Sequence, residues 1–229
     1  MKKNMSDTVI IVPIYNGEKH LKELFSRIKK SAPDLKIIAV NDASRDRTKE
    51  ILEKSDVIAL NFTENKGKGA ALRAGFNEAV ERGFDYAISI DCDLQHKPEK
   101  IPELMKKRKK YNADLVIGRR KFKLGNMPPA RIFSNTITTL AVSSVLGKKV
   151  FDSQSGFRLY NLNFIKKMQF ETCRYQFETE ILLKFGKSGA RFAFVDIPVI
   201  YDDEISYISH GRDIANFIKI LWKSIKKLA

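Results

Sequence analysis

Five short apolar runs, separated by stretches of helical periodicity, constrain the fold of this chain more than any other feature of its sequence. Val9 to Ile14, Ile37 to Val40, Val57 to Leu60, Tyr86 to Ile90 and Leu115 to Ile117 are mainly β-branched and aliphatic. Runs this short are the pattern of strands buried on both faces. Between them, apolar residues recur at helical spacing. Leu21, Leu24, Phe25 and Ile28 follow Glu18 and stop before Pro33; a short helix starts at Thr48; Leu72, Gly75, Phe76, Ala79 and Val80 precede Gly83; and a fourth helix runs from about Glu99 to Tyr111. Connections of this length cannot be hairpins, so the strands form a mostly parallel sheet with helices on both faces. The expected fold class is α/β, and this reading covers residues 1 to about 120.

The strand ends carry the chemistry. In an open α/β sheet ligands bind beyond the carboxyl ends of the strands. The fourth run ends there in Asp91-Cys92-Asp93-Leu94-Gln95. Two carboxylates and an amide oxygen at this spacing suit a hard divalent cation held against a phosphate. Equally, the acids could end the strand and cap the helix near Lys97-Pro98. Asn65-Lys66-Gly67-Lys68-Gly69, at a helix start, could cradle phosphate through backbone N–H groups and lysine charge, although it lacks the P-loop's closing Gly-Lys-Ser/Thr.

The second half reads differently. Lys121 to Pro129 is expected to be a mobile loop, Ala130 to Leu146 a long helix, Phe151 to Tyr160 a loop feeding a strand, and Tyr175 to Lys187 a helix. Phe192 to Val195 reads as a strand and Ile197 to Tyr201 as an extended edge, because Pro198 cannot donate to a central ladder. Ile214 to Leu228 is an amphipathic helix that can dock on the core or lie in a membrane interface.

Charge narrows the partners. With 42 Lys and Arg against 27 Asp and Glu, the net charge of +15 calls for something anionic: nucleic acid, a membrane surface or phosphorylated small molecules. A nucleic-acid-binding module would interleave aromatic residues with a basic groove. Here the aromatic residues fall at apolar-periodic positions, so nucleic acid is not expected as a partner. No apolar run approaches the roughly 18 residues of a membrane span, and no signal peptide is apparent, so the expected location is cytoplasmic. Cys92 and Cys173 have neither disulfide-framework nor zinc-site spacing.

Six segments occur in an order that resembles family 2 glycosyltransferases, with the closest likeness to polyprenyl-phosphate (dolichyl-phosphate) sugar synthases. They are Val12 to Glu18, Asn41 to Asp46, Asn65 to Gly69, Asp91 to His96, Gly118 to Arg120 and Asp152 to Tyr160. The resemblance runs from about Val9 to Tyr201. It implies one GT-A domain over residues 1–229, with a nucleotide-sugar half (1–120), an acceptor half (121–210) and a terminal amphipathic helix (211–229). It also implies a Mg²⁺ or Mn²⁺ ion, a GDP- or UDP-sugar donor, a polyprenyl phosphate acceptor and hexose transfer with inversion. Carried over by position, Pro13, Tyr15, Glu18 and Asp42 face the base and ribose, Lys68 joins the donor site, and Asp91, Asp93 and Gln95 hold the metal and diphosphate. Arg119, Arg131 and Ser134 or Asn135 take the acceptor phosphate.

Asp152 is the candidate base if the acceptor is a hydroxyl of a glycan or lipid head group; for a phosphate it would orient the acceptor or hold neighbouring arginines. Glu178 and Glu180 match a Glu-X-Glu pair of which a helix directs at most one to the site. The sequence departs from the pattern where Tyr201-Asp202-Asp203-Glu204 is acidic and the first cations come at His210 and Arg212, the possible diphosphate contacts. With no membrane span expected, the terminal helix or a membrane-bound partner would bring the enzyme to its lipid. A sugar-nucleotidyltransferase is the competing nucleotide-binding reading, but the glycine-rich amino-terminal loop it needs is missing.

Overall fold

The computed structural model describes residues 7–121, 129–174 and 176–200. Most of the expected loop at Lys121 to Pro129 lies outside them, as do Tyr201 to Glu204, His210, Arg212 and the expected helix from Ile214 to Leu228.

Seven strands form one sheet: β1 (Thr8–Ile14), β2 (Lys36–Asn41), β3 (Ile58–Asn61), β4 (Tyr86–Ser89), β5 (Leu115–Arg120), β6 (Arg158–Asn161) and β7 (Phe192–Ile197). Their spatial order is β3-β2-β1-β4-β6-β5-β7. All pairings are parallel except those of β6, which is wedged antiparallel between β4 and β5. The helices are α1 (Leu21–Ser31), α2 (Thr48–Glu53), α3 (Lys68–Glu81), α4 (Ile101–Tyr111), α5 (Pro129–Leu146), the single turn α6 (Leu162–Ile165) and α7 (Gln176–Lys187).

Alternation along the strands divides the core into two layers, as a sheet covered on both faces requires. Val9, Ile11, Ile38, Val40, Leu115 and Ile117 pack with Leu72 and Phe76 of α3, Val142 of α5 and Phe177, Ile181 and Phe185 of α7. Ile10, Val12, Ile14, Ile37, Ile88 and Val116 point the other way, toward Leu21, Leu24 and Ile28 of α1 and Ile101 and Leu104 of α4. Gly75 lets α3 lie directly on β1, where an added Cβ would sit 2.5 Å from the Ile11 side chain.

Two expectations changed on folding. Among the described residues no separate edge strand extends from Ile197; β7 is itself the edge, and it stops where Pro198 removes the next donor. β5 runs three residues beyond Ile117, because β7 pairs with it in parallel as far as Arg120↔Ile197. The parallel strands, with β6 entering in reverse, bring Tyr15 to Glu18, Asp42 to Asp46, Asp91 to His96, Arg119 to Lys121 and Asp152 to Gly156 to one edge of the sheet.

Candidate active site at the carboxyl edge of the sheet

Backbone strain marks this edge. Asn16, Ala43 and Leu94 hold left-handed φ values of 53°, 56° and 61° in the loops that leave the carboxyl ends of β1, β2 and β4. For alanine or leucine that conformation costs about 1 kcal/mol or more, and such residues gather at functional sites. Leu94 turns the chain so that the Gln95 amide donates to Asp93 Oδ1 at 3.0 Å.

The loops are laced together by the residues expected to meet the nucleotide. Glu18 Oε2 accepts from the Arg47 amide at 2.7 Å, while the Glu18 amide donates to Asp46 Oδ2 at 3.0 Å. Buried Asp42 accepts from the amides of Lys66 at 2.7 Å and Gly67 at 2.8 Å, which fixes the approach to α3. Gly67, at φ 91°, leaves no room for a Cβ beside the Cys173 carbonyl. Pro13 is buried within β1, beyond its last pair with β4, and Tyr15 is 37% exposed at the tip.

At the centre lies an ion cluster. Lys68 Nζ is 2.7 Å from Asp91 Oδ1 and 3.2 Å from Glu178 Oε1, and His96 Nε2 is 3.6 Å from Asp91 Oδ2. The His96 ring stacks on Phe157, with centroids 5.5 Å apart. Burial works against the Lys68 charge, but Asp91 and Glu178 more than offset it and hold the ammonium well above its usual range. Burial likewise disfavours the Asp91 carboxylate, and Lys68 and His96 reverse this, keeping it far below normal. Asp93 goes the other way: burial and the charge of Asp91 raise it. Burial and then the charges of Asp93 and Asp91 push the half-buried Cys92 thiol between them up to about 12, so it stays a thiol at neutral pH.

Beside this cluster is an arginine–carboxylate pair. Arg120 donates from Nε to Asp152 Oδ2 at 2.8 Å, from Nη2 to Oδ1 at 3.0 Å, and from its amide to Oδ2 at 3.1 Å. Asp152 is fully buried. Arg119, the residue carried over to the acceptor phosphate, points away from Asp152: strand alternation turns it to Asp196 and over the Phe151 ring, 4.6 Å from the centroid. There Arg119 and then Lys121 hold the Asp196 carboxyl down at about 2. Arg158, also fully buried, donates to the carbonyls of Ser155, Glu178 and Ser153 at 2.7–2.8 Å. It thereby ties the Asp152 loop to α7. Thr139 and Ser153, joined at 3.1 Å, tie the same loop to α5, on which Arg131, Ser134 and Asn135 lie one to two turns earlier.

Sequence reasoning missed Arg120, His96 and the part taken by Glu178. A pair such as Arg119-Arg120 does not declare which member faces inward until the strand's pairing is known. Glu178 does turn to the cluster while Glu180 turns away to cap Glu171 and Thr172, at 2.9 Å from each amide.

Residues 9–169 match the family described as Glycosyl transferase family 2, about seven-tenths of the chain. The chain belongs to glycosyl transferase family 2. It is 31% identical over 245 residues to the UDP-N-acetylglucosamine–dolichyl-phosphate N-acetylglucosaminyltransferase of Methanococcus voltae, covering 96% of each protein. It is 29% identical to the undecaprenyl-phosphate mannosyltransferase of Micrococcus luteus, covering 83% of this chain and 82% of that one. In fold it resembles the glucosyl-3-phosphoglycerate synthase of Mycobacterium tuberculosis solved with Mn²⁺, UDP and glucosyl-3-phosphoglycerate. The TM-score is 0.77 at 19% identity, over 96% of this chain and 80% of that one. This glycosyltransferase therefore has the GT-A fold that its sequence leads one to expect.

The donor set fits a hard divalent cation. Asp91, Asp93 and Gln95 offer oxygen, the ligand atom a hard cation prefers, and burial with the neighbouring Asp91 charge raises the Asp93 carboxyl. Among the described residues no group of three His, Cys, Asp or Glu side chains could enclose a metal alone. A cation here would complete its shell with phosphate oxygens, the usual arrangement for Mg²⁺.

The cluster has a pH signature in the metal-free protein. The depressed Asp91 carboxyl contributes stability that is complete above its unfolded value of about 3.9 and fades as pH falls toward the folded value. The raised Lys68 contributes fully below about 10.4 and fades only as pH rises further. In Lys68→Met, Asp91 loses its principal cation while burial still disfavours its charge, so its carboxyl rises above the unfolded value. Because Asp93 is already raised in the wild type, both proteins should gain stability in urea as pH falls from about 7 to 5, the variant more steeply. A variant with the wild-type pH profile would contradict the charge assignment.

Proposed function

We propose that this enzyme moves a hexose, with inversion, from a GDP- or UDP-sugar to a polyprenyl phosphate at the cytoplasmic face of a membrane. The observation that carries the reading is the pairing, on one sheet edge, of the Asp91, Asp93 and Lys68 cluster with the Arg120–Asp152 fork. One set suits a donor diphosphate and the other an acceptor phosphate.

Pro13, Tyr15, Glu18 and Asp42 flank the nucleotide, with Asp42 and Glu18 acting largely through the loops they hold. Lys68 faces the diphosphate. Asp91, Asp93 and Gln95 would hold Mg²⁺ or Mn²⁺, which offsets the negative charge growing on the departing nucleoside diphosphate. His210 and Arg212 remain possible further contacts. An oxygen of the acceptor phosphate forms a bond to the anomeric carbon as the bond from that carbon to the diphosphate oxygen breaks. The two events share one displacement, without a covalent enzyme intermediate.

Asp152 supports a phosphate acceptor over a hydroxyl. Both its oxygens are engaged by Arg120, so it suits holding a guanidinium better than removing a proton, and an ionised phosphate needs no base. Arg120, with Arg131, Ser134 and Asn135 of α5, is the acceptor set this reading favours. Transfer from a panel of UDP- and GDP-sugars to polyprenyl phosphate tests it. Arg120→Ala and Arg131→Ala should each lower transfer on the order of 100-fold, as removing an electrostatic donor does elsewhere, while Arg119→Ala changes it little. Unimpaired transfer by Arg131→Ala would refute the phosphate assignment.

No helix among the described residues is long and apolar enough to cross a membrane. α5 supports peripheral attachment instead: Phe133, Ile137 and Leu140 are 68%, 48% and 61% exposed and form one ridge at i, i+4 and i+7. The opposite side of α5 buries Thr139 and Val142. Phe133→Ser with Leu140→Ser should reduce co-sedimentation with anionic vesicles at least tenfold, since burying each side chain is worth about 1.5–3 kcal/mol. Unchanged co-sedimentation by the folded variant would remove α5 from the contact.

A further inference from the structure

Lys68 has more to do than meet a phosphate. It is the first residue of α3, where the helix dipole disfavours a cation, and its ammonium folds instead onto Asp91 at 2.7 Å and Glu178 at 3.2 Å. The space for this contact exists because residue 156 is glycine: a Cβ there would lie 2.7 Å from Glu178 Oε1, 2.8 Å from Asp91 Oδ2 and 2.9 Å from Lys68 Nζ. The Gly156 backbone is in turn pinned by Ser89 Oγ, which donates to its carbonyl at 2.5 Å. The free enzyme thus already places a cation on one of the two acids suited to a divalent ion.

We propose that Lys68 is a tethered cation that occupies Asp91 until nucleotide arrives, so that metal and nucleoside diphosphate load together rather than separately. The inference rests on the donor-site reading above. A compact ammonium on a flexible four-carbon stem can transfer from carboxylate to phosphate without moving the helix. With a diphosphate beside α3, Lys68 exchanges Asp91 for a phosphate oxygen, and the freed Asp91 oxygen becomes available to the divalent ion. Glu178 loses its cation in the same exchange and adds negative charge that favours the incoming metal. By linkage, nucleotide then raises metal affinity by the same factor by which metal raises nucleotide affinity.

The test is Mn²⁺ binding followed by electron paramagnetic resonance, without nucleotide and with UDP or GDP, in the wild type and in Lys68→Met. The wild type should bind Mn²⁺ weakly alone and much more tightly with one of the nucleotides. In Lys68→Met, affinity without nucleotide should rise, and the factor linking metal and nucleotide should shrink on the order of tenfold. A fixed positive charge that merely repelled the metal would raise the affinity but leave the linkage factor unchanged, and that result overturns the exchange. Lys68→Gln, which also removes the charge but keeps a polar side chain, gives the same comparison should the methionine variant not fold. If the wild type binds no Mn²⁺ with either nucleotide, the donor-site reading fails along with this one. If it does bind and the linkage is the same in the variants, this inference alone fails.

Discussion

The ion cluster of Lys68, Asp91 and Glu178 is the interaction on which the carboxyl edge of the sheet depends. It joins the start of α3, the tip of β4 and the first turn of α7, three elements drawn from distant parts of the chain. Removing one partner from this largely buried set leaves charge uncompensated and destabilises the edge. A site that must receive a metal and a diphosphate cannot bury its carboxylates in an apolar environment. It has to keep Asp91 ionised before any ligand arrives, and Lys68 with His96 does this.

The rest of the edge is held by other groups. Arg120 grips both oxygens of Asp152, and Arg158 turns the carbonyls of Ser153, Ser155 and Glu178 toward itself. Those carbonyl dipoles are therefore directed into the protein and not toward an arriving anion. The excess of basic residues fits this local picture, because the partners of a sugar transferase are phosphates on both the donor and the acceptor side.

Much of this was legible in the sequence. Short β-branched runs separated by helical periodicity gave the parallel half of the sheet and its two helical layers, since burial on both faces leaves few other solutions for Val9–Ile14 or Ile37–Val40. Asp91 and Asp93 stood out because two carboxylates one residue apart, with the Gln95 amide close behind, suit a divalent cation as well as they end a strand. The direction of β6 was not legible. Arg158 to Asn161 looks like any short strand, and only its insertion between β4 and β5 decides that it runs in reverse. That insertion sets which of Arg119 and Arg120 faces the site. Glu178 was recognisable as one of a pair on a helix, but its closeness to Asp91 comes from packing across 87 residues of chain, which no local pattern records.

The most direct test of the central claim is a crystal structure of the enzyme with Mn²⁺ and UDP or GDP, located by the anomalous signal of the metal. The account predicts a manganese peak at the tip of β4, bound by Asp91 and Asp93 and by oxygens of the diphosphate. A nucleotide seated elsewhere, or a diphosphate at this edge with no manganese between it and the two aspartates, would contradict it.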